Sequence, residues 1–266
     1  MKKRITIVLL ILLVPLATGC SLLPTPTPAP CPAIQRGLAF LSARYNPALG
    51  LLNEAPQAAP NTYWLTNDNA LAAYALSQLG QPELAANVQN TLQRYKYTSN
   101  GLIEVVWGAS VSYPPYVARP QVIDTVGDSE IKQEFHDSGG RFEDWAEYAN
   151  LGFLGALNES NQKHTDSART IFASTLAQFD STGFRDKAFS GLYETYKLAL
   201  GLYTAVKIGV PLPNGSQLLA ALLAMQAANG GFSTHYVDLN TPQGDQNTET
   251  TALALLALQA YGCDGR

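Results

Sequence analysis

Hydrophobic residues recur at helical spacing along most of the chain after residue 33. Ile34, Leu38 and Leu41 share one helical face, and the segments 84–95 and 168–179 repeat this one-sided arrangement. Such patterns predict amphipathic helices with one face in water. Alternation of polar and apolar residues at every second position is scarce, so the sequence predicts few strands.

Four other segments are apolar nearly all round, which is typical of helices enclosed by other elements. They cover residues 69–80, 148–157, 196–209 and 251–262. Amphipathic and enclosed helices therefore alternate along the chain. This order predicts four helical hairpins, at about 33–80, 82–158, 163–209 and 215–262.

Each amphipathic helix ends in a similar polar turn, in which a glycine is followed by an apolar residue. These turns lie at 45–52, 97–103, 179–184 and 227–232. Repeated hairpins either stack as an open superhelix or close into a ring. We expect closure, because the enclosed helices would form an inner ring and Cys31 and Cys263 would meet where it shuts. The predicted fold class is all-α: an α/α toroid of about four hairpins, with one irregular insertion that has room for short strands.

The last turn has a more specific pattern. Gln226, Gly230 and Phe232 resemble the Gln-x-x-x-Gly-x-aromatic core of the repeat in terpenoid cyclases and protein prenyltransferases. The third turn is a weaker version, with Gln178 before Gly183, and the first two turns have no such glutamine. The resemblance implies the α/α toroid of that superfamily.

The catalytic signatures of toroid families are missing. The chain has no Asp-x-Asp-Asp string as in squalene-type cyclases and no Gly-Cys-Gly-Glu-Gln thioester motif. A prenyltransferase-like zinc site is not expected either, because acylation would occupy Cys20 and a disulfide would occupy Cys31 and Cys263. His164 and His235 do not pair with another histidine at metal-ligand spacing. The sequence therefore predicts no metal and no cofactor.

Acidic, amide and aromatic side chains gather where the enclosed helices begin, which predicts a shared acidic mouth. The candidate catalytic residues are Asp68, Glu194 and Glu249. The candidate ligand-binding residues are Tyr63, Trp64, Asn69, Asp144, Trp145, Glu147 and Asn247. The alternative for Asp68 and Asp144 is helix capping, since carboxylates stabilise helix N-termini.

Aromatic rings beside carboxylates and amides suit carbohydrates, whose apolar faces stack while their hydroxyls form hydrogen bonds. The stretch from Trp64 to Asn69 also resembles the Trp-x-x-x-Asp-Asn helix starts of carbohydrate-active α/α barrels. We therefore expect a polar ligand, first of all an oligosaccharide, with cleavage as by a glycoside hydrolase or a polysaccharide lyase left open. One alternative is a non-catalytic surface interaction module, and another is an apolar, terpenoid-like ligand.

Residues 100–143 form the longest interruption of the helical pattern. Within them, the apolar residues of GLIEVVWG predict a short strand. A long segment of this kind either covers a ligand or packs over the side of the domain. The side chains that would cover a ligand are Glu104, Trp107, Tyr113, Tyr116, Glu134 and His136.

The N-terminus predicts export. Residues 1–19 combine a basic start with an apolar run, as in a signal peptide, and the end resembles the lipobox of bacterial lipoproteins, with Ala17 where leucine is usual. This implies an acylated Cys20, with chains such as palmitate, that anchors an extracytoplasmic lipoprotein to the lipid membrane. A plain secretory signal is the alternative. Residues 20–32 would be a proline-rich linker, and residues 33–266 the domain.

Charge and cysteine content fit this location. The chain has 17 basic and 21 acidic residues, and residues 1–19 hold three basic and no acidic ones, so without them the formal charge is −7. An acidic domain gives no electrostatic reason to bind nucleic acid. In an oxidising compartment Cys31 and Cys263 would form a disulfide, with two free buried thiols as the alternative.

Overall fold

The computed structural model describes residues 31–57, 59–98 and 102–263. Helices make up 48% and strands 20% of the structure, with eight helices and three sheets in the described ranges. The predicted all-α toroid is therefore wrong: the chain forms a mixed fold of helices and strands.

The helices are α1 (Pro32–Arg44), α2 (Asn67–Gln78), α3 (Pro82–Arg94), α4 (Ala149–Asn161), α5 (Thr165–Leu176), α6 (Thr195–Ile208), α7 (Gly215–Ala224) and α8 (Thr248–Tyr261). Two short 3₁₀ helices cover Ile103–Trp107 and Trp145–Glu147.

The strands form three small sheets. They are β1 (Tyr45–Asn46), β2 (Leu51–Leu52), β3 (Thr62–Trp64), β4 (Tyr116–Val126), β5 (Ser129–Arg141), β6 (Tyr193–Glu194), β7 (Ser233–Tyr236) and β8 (Pro242–Gln246). The pair β1–β2 is antiparallel, and so is the sheet β6–β7–β8. In the sheet β3–β5–β4, the β4–β5 hairpin is antiparallel and β3 runs parallel to β5.

The long hairpin explains why the helical prediction failed. No residue of β4 is buried, so it has no apolar face to produce an alternating pattern. In β5 the buried positions include Ile131 and Gln133, and the buried glutamine breaks the apolar alternation. Sequence periodicity detects a strand through its buried face, and these strands bury little or bury polar groups.

The enclosed segments do form the central helices. The helices α2, α8, α6 and α4 lie side by side in that order, and α3, α1, α7 and α5 pack against them. In α8 every residue from Thr250 to Leu258 is buried. Ile103–Trp107 contacts both α4 and α2. This packing brings the N-terminal ends of the four central helices close to one another.

The Gln226 turn has a structural role. The Gln226 side chain donates to the Ala33 carbonyl at 2.8 Å and to the Gly230 carbonyl at 2.9 Å, and accepts from Arg36. Gly230 has φ of 91°, and a Cβ there would lie 2.2 Å from the Arg36 carbonyl oxygen. The motif therefore joins the end of α7 to α1, and only glycine fits the close approach.

The two ends of the described chain are linked covalently. Cys31 and Cys263 form a disulfide with their Cα atoms 6.3 Å apart, which confirms the predicted pairing. The predicted signal segment, Cys20 and most of the linker lie outside the described residues. Within the ranges described, no helix is both long and apolar enough to cross a membrane.

Candidate functional site

The starts of the four central helices line one cavity of about 390 Å³. Asn67 is the first residue of α2, while Asn150, Tyr196 and Glu249 are the second residues of α4, α6 and α8. The four helix starts therefore border one cavity in this fold. Its polar groups come from equivalent helix positions.

The apolar part of the cavity lies one helical turn further on. Leu154, Leu200 and Leu253 line it, and each follows the polar lining residue of its own helix by four positions. Residues four apart lie on the same helix face, so a polar residue and a leucine face the same space. The cavity thus combines a polar region with an apolar one, as small-molecule sites do.

The β4–β5 hairpin completes the lining. Tyr116 of β4 and Glu134 of β5 line the cavity. Both are among the side chains that the sequence predicts to cover a ligand. The Asn67 side chain donates to Glu134 Oε2 at 2.5 Å, which connects the hairpin to the start of α2. Phe142 and Tyr148 add two more aromatic rings.

Glu249 combines a place in the cavity lining with a strongly raised carboxyl pKa. Burial raises the pKa of its carboxyl to about 8, and the charges of Glu54, Glu134 and Glu194 act in the same direction. Since Glu249 also lines the cavity, it presents a protonated carboxyl to the cavity near neutral pH.

Glu54 is a second carboxyl of this kind, and the sequence patterns do not predict it. It follows β2 in the connection to β3, and Asn247 donates to its Oε1 at 3.1 Å. Its Oε2 is buried without a hydrogen-bond partner among the described residues. Burial raises the Glu54 pKa to about 7, against the opposing effect of the Asn247 hydrogen bond. A lone glutamate in a loop carries no pattern that would single it out.

Glu194 lies next to a buried ion pair. Lys197 forms ion pairs with Glu194 and with Asp186, the latter at 2.5 Å. The Lys197 and Asp186 side chains are 2% and 0% exposed. Glu194 contributes to the field at Glu249, but it does not belong to the described lining of the cavity.

Tyr196 lies between these groups. Its hydroxyl is 3.5 Å from Glu194 Oε2, and its ring lines the cavity. Burial, together with the charges of Glu194, Glu249 and Asp186, raises the Tyr196 pKa well above its usual value. Tyr196 therefore stays a neutral phenol that donates a hydrogen bond.

The candidates Tyr63, Trp64 and Asn69, at β3 and the first turn of α2, lie away from the cavity lining. Asn69 is fully buried and bonds both backbone groups of Leu52, at 2.8 and 3.0 Å, as well as the Trp64 carbonyl. Tyr63 is buried and accepts from Asn46 at 3.2 Å. Neither Tyr63, Trp64 nor Asn69 lines the cavity.

The candidates around residue 145 lie outside the cavity as well. Asp144 and Glu147 pair with Lys187, at 2.5 and 3.2 Å. The Lys187 hydrogen bond lowers the Asp144 pKa. Trp145 packs edge-on against Tyr113, with ring centroids 5.1 Å apart.

Two further candidates lie at helix starts. Asn247 is the N-cap of α8, where its side chain accepts from the Thr250 amide at 2.9 Å. Asp68 is buried in the first turn of α2 and does not line the cavity. Of the three predicted catalytic residues, all of them in the described ranges, Glu249 alone lines it.

Across the part of the chain that the structure describes, no group of three or more His, Cys, Asp or Glu side chains is placed to hold a metal ion. The chain matches no known family, no curated protein and no solved structure. The resemblance to the cyclase and prenyltransferase repeat stays a prediction, and the all-α toroid it implies is not the fold observed.

Proposed function

We propose that this protein binds an oligosaccharide in the cavity and hydrolyses it, with Glu249 as the general acid. The observation that carries the proposal is a cavity-lining carboxyl with its pKa raised to about 8. A general acid must hold a proton at the working pH and release it to the leaving group, and a pKa near that pH suits both steps.

The lining supports a neutral or amino sugar as ligand. Tyr116, Phe142, Tyr148 and Tyr196 offer rings for stacking, while Asn67 and Asn150 offer amides for sugar hydroxyls. Among the lining residues that the structure describes there is no Lys, Arg or His. A uronate would meet carboxylates without a counter-charge, so these residues favour hydrolysis of an uncharged or cationic glycan over lyase cleavage of an acidic one.

Glu134 is the proposed carboxylate partner, because it lines the same cavity and Asn67 holds its Oε2. In the hydrolysis, the Glu249 carboxyl transfers its proton to the glycosidic oxygen as the bond to the anomeric carbon breaks. Water adds to that carbon, and Glu134 accepts a proton from the water. The sequence also predicts Glu194 as a catalytic carboxylate. In the structure Glu194 forms an ion pair with Lys197, and its Oε2 lies 3.5 Å from the Tyr196 hydroxyl.

The test compares wild type with Glu249→Gln on a panel of neutral and amino-sugar polysaccharides, with release of reducing ends as the readout. We expect the variant to retain binding by calorimetry and to lose roughly 10²- to 10⁴-fold in rate, as for removal of a general acid. Glu83→Gln, on the exposed start of α3, makes the same side-chain substitution away from the cavity and is the matched control.

Wild-type activity that Glu249→Gln leaves intact would contradict the role of Glu249. A wild-type protein that binds a glycan without releasing reducing ends would support the non-catalytic module instead. Absence of both binding and release across the panel would overturn the carbohydrate proposal.

A further inference from the structure

We propose that Glu54 is a positioning residue for Glu249: it holds a second carboxyl at the start of α8, and this neighbouring charge extends the pH range over which Glu249 keeps its proton. The inference rests on the proposed function, because it concerns the acid of the same site. Glu54 does not line the cavity, so it acts through Glu249 and not on the ligand.

The attachment of Glu54 to the start of α8 is the basis of this inference. The Thr248 amide donates to the Glu54 carbonyl at 3.0 Å, and the Thr248 hydroxyl donates to the Asn53 carbonyl at 2.8 Å. Asn247 then holds the Glu54 side chain at 3.1 Å. Three hydrogen bonds therefore attach the segment carrying Glu54 to the two residues that precede Glu249.

The two oxygens of the Glu54 carboxyl differ in their surroundings. Asn247 occupies Oε1, whereas Oε2 is buried and has no hydrogen-bond partner in the described part of the chain. A buried polar oxygen without a hydrogen-bond partner costs free energy. The effect of Glu54 on Glu249 proposed here is therefore electrostatic and does not pass through a hydrogen bond of this oxygen to a described residue.

We expect the Glu54 carboxyl to lose its proton before the Glu249 carboxyl. Burial raises the pKa of Glu54 to about 7 and that of Glu249 to about 8, and the charge of Glu54 is the largest electrostatic contribution to the latter. Glu54 therefore ionises first, and its charge holds the proton on Glu249 as the pH rises further. Between these two values the pair has one proton, on the residue that faces the cavity.

Other charges surround Glu249, so the effect of Glu54 must be separated from theirs. The charged and titratable groups on the elements nearest to the start of α8 are Glu134 of β5, Glu194 of β6, Tyr196 and Lys197 of α6, Asp186 before β6, Asp68 of α2, and Arg36 and Arg44 of α1. Glu134 is held by Asn67 and Glu194 by Lys197, on other elements. Among these described acids, Glu54 is the one that forms hydrogen bonds to Asn247 and Thr248 at the start of α8.

The experiment is a titration of the carboxyl carbons by NMR, with Glu249 assigned from the spectrum of Glu249→Gln. In Glu54→Gln, the amide keeps the Asn247 contact but cannot ionise. We expect the Glu249 pKa to fall by about one, which lowers its protonated fraction at about pH 8 from roughly one half to one tenth. Hydrolysis at that pH would fall about fivefold, with no change at about pH 6. Glu83→Gln, with the same change in net charge, should leave Glu249 unaffected.

An unchanged Glu249 pKa in Glu54→Gln overturns the inference, and so does an equal fall in Glu83→Gln. The wild-type protein supplies a second measurement that does not depend on the variant folding: Glu54 must titrate before Glu249, and the reverse order contradicts the proposal. These titrations need no substrate. A protein without hydrolytic activity but with the expected titrations would overturn the proposed function and leave the coupling of the two carboxyls standing.

Discussion

Four glutamates reach the same region from four places in the chain, and each has a different surrounding. Burial raises the pKa of both Glu249 and Glu54, and neither forms an ion pair with a described residue. Glu194 instead pairs with Lys197, and Glu134 accepts from Asn67. Identical side chains thus have different surroundings, which is what the proposed division into an acid and a base requires.

The raised pKa of Glu249 makes stability depend on pH. Its value rises from 4.5 to about 8, so the neutral form is favoured in the folded state. The stabilisation that this neutral carboxyl gives the folded state is fully present below about pH 4.5 and is lost as the pH rises through about 8. We expect urea denaturation to give a wild-type free energy of unfolding that falls between about pH 5 and pH 9. In Glu249→Gln the fall should be smaller, by roughly 2 to 5 kcal/mol.

Glu83→Gln serves as the comparison, since it removes one carboxylate from the exposed start of α3. Parallel pH profiles for wild type and Glu249→Gln would show that the Glu249 carboxyl titrates as an ordinary exposed one. That result would also remove the electrostatic basis for its role as an acid.

At the scale of elements, one buried ion pair connects three parts of the fold. Asp186, in the connection before β6, accepts from the Ala149 amide at the start of α4 at 2.8 Å and pairs with Lys197 of α6 at 2.5 Å. The starts of two cavity-lining helices are therefore held by one carboxylate. Removal of the Lys197 charge would leave the Asp186 carboxylate buried without an ion-pair partner among the described residues.

We therefore expect Lys197→Met to lower the free energy of unfolding by roughly 3 to 5 kcal/mol in urea titrations. The double variant Asp186→Asn, Lys197→Met should recover part of this loss, because it leaves no isolated buried charge. Lys187→Met removes the ion pair between Lys187 and Asp144, whose side chains are 42% and 37% exposed. It should leave the urea midpoint of unfolding near that of wild type. Equal effects of Lys197→Met and Lys187→Met would contradict the argument.

The elements also show what the sequence could and could not predict. The enclosed helices were predictable, because runs such as 251–262 have no polar face, and so was the convergence of their starts. The β4–β5 hairpin was not, since β4 buries no residue and therefore has no apolar face to show in the sequence. The sequence named Glu249 as a candidate from its place at a helix start, and the structure places it in the cavity lining. Glu54 was not, because its role comes from Asn247, which lies 193 residues away.

The whole molecule depends on contacts between the beginning and the end of the described chain. α1 packs on α8, Gln226 bonds the start of α1, and Thr248 and Asn247 bond the segment at Asn53 and Glu54. Cys31 and Cys263 add a covalent link across 232 positions. The cavity is therefore complete only when the last helix is in place beside the first elements.

The disulfide restricts the unfolded chain by closing a very long loop. We expect the double variant Cys31→Ser, Cys263→Ser to lose roughly 2 to 5 kcal/mol of unfolding free energy, measured by urea denaturation against the oxidised wild type. Reduced wild-type protein should behave like the variant. If oxidised, reduced and variant proteins unfold at the same urea concentration, the noncovalent contacts alone hold the ends together.

The same disulfide fixes how the domain would respond to mechanical load. A stretching force applied between residues 31 and 263 passes through one sulfur–sulfur link, between Cα atoms 6.3 Å apart. The helices and sheets between the two cysteines then carry none of the tension. While the bond is intact, pulling on the ends would leave the cavity in its folded shape, and reduction would transfer the full load to α1 and α8.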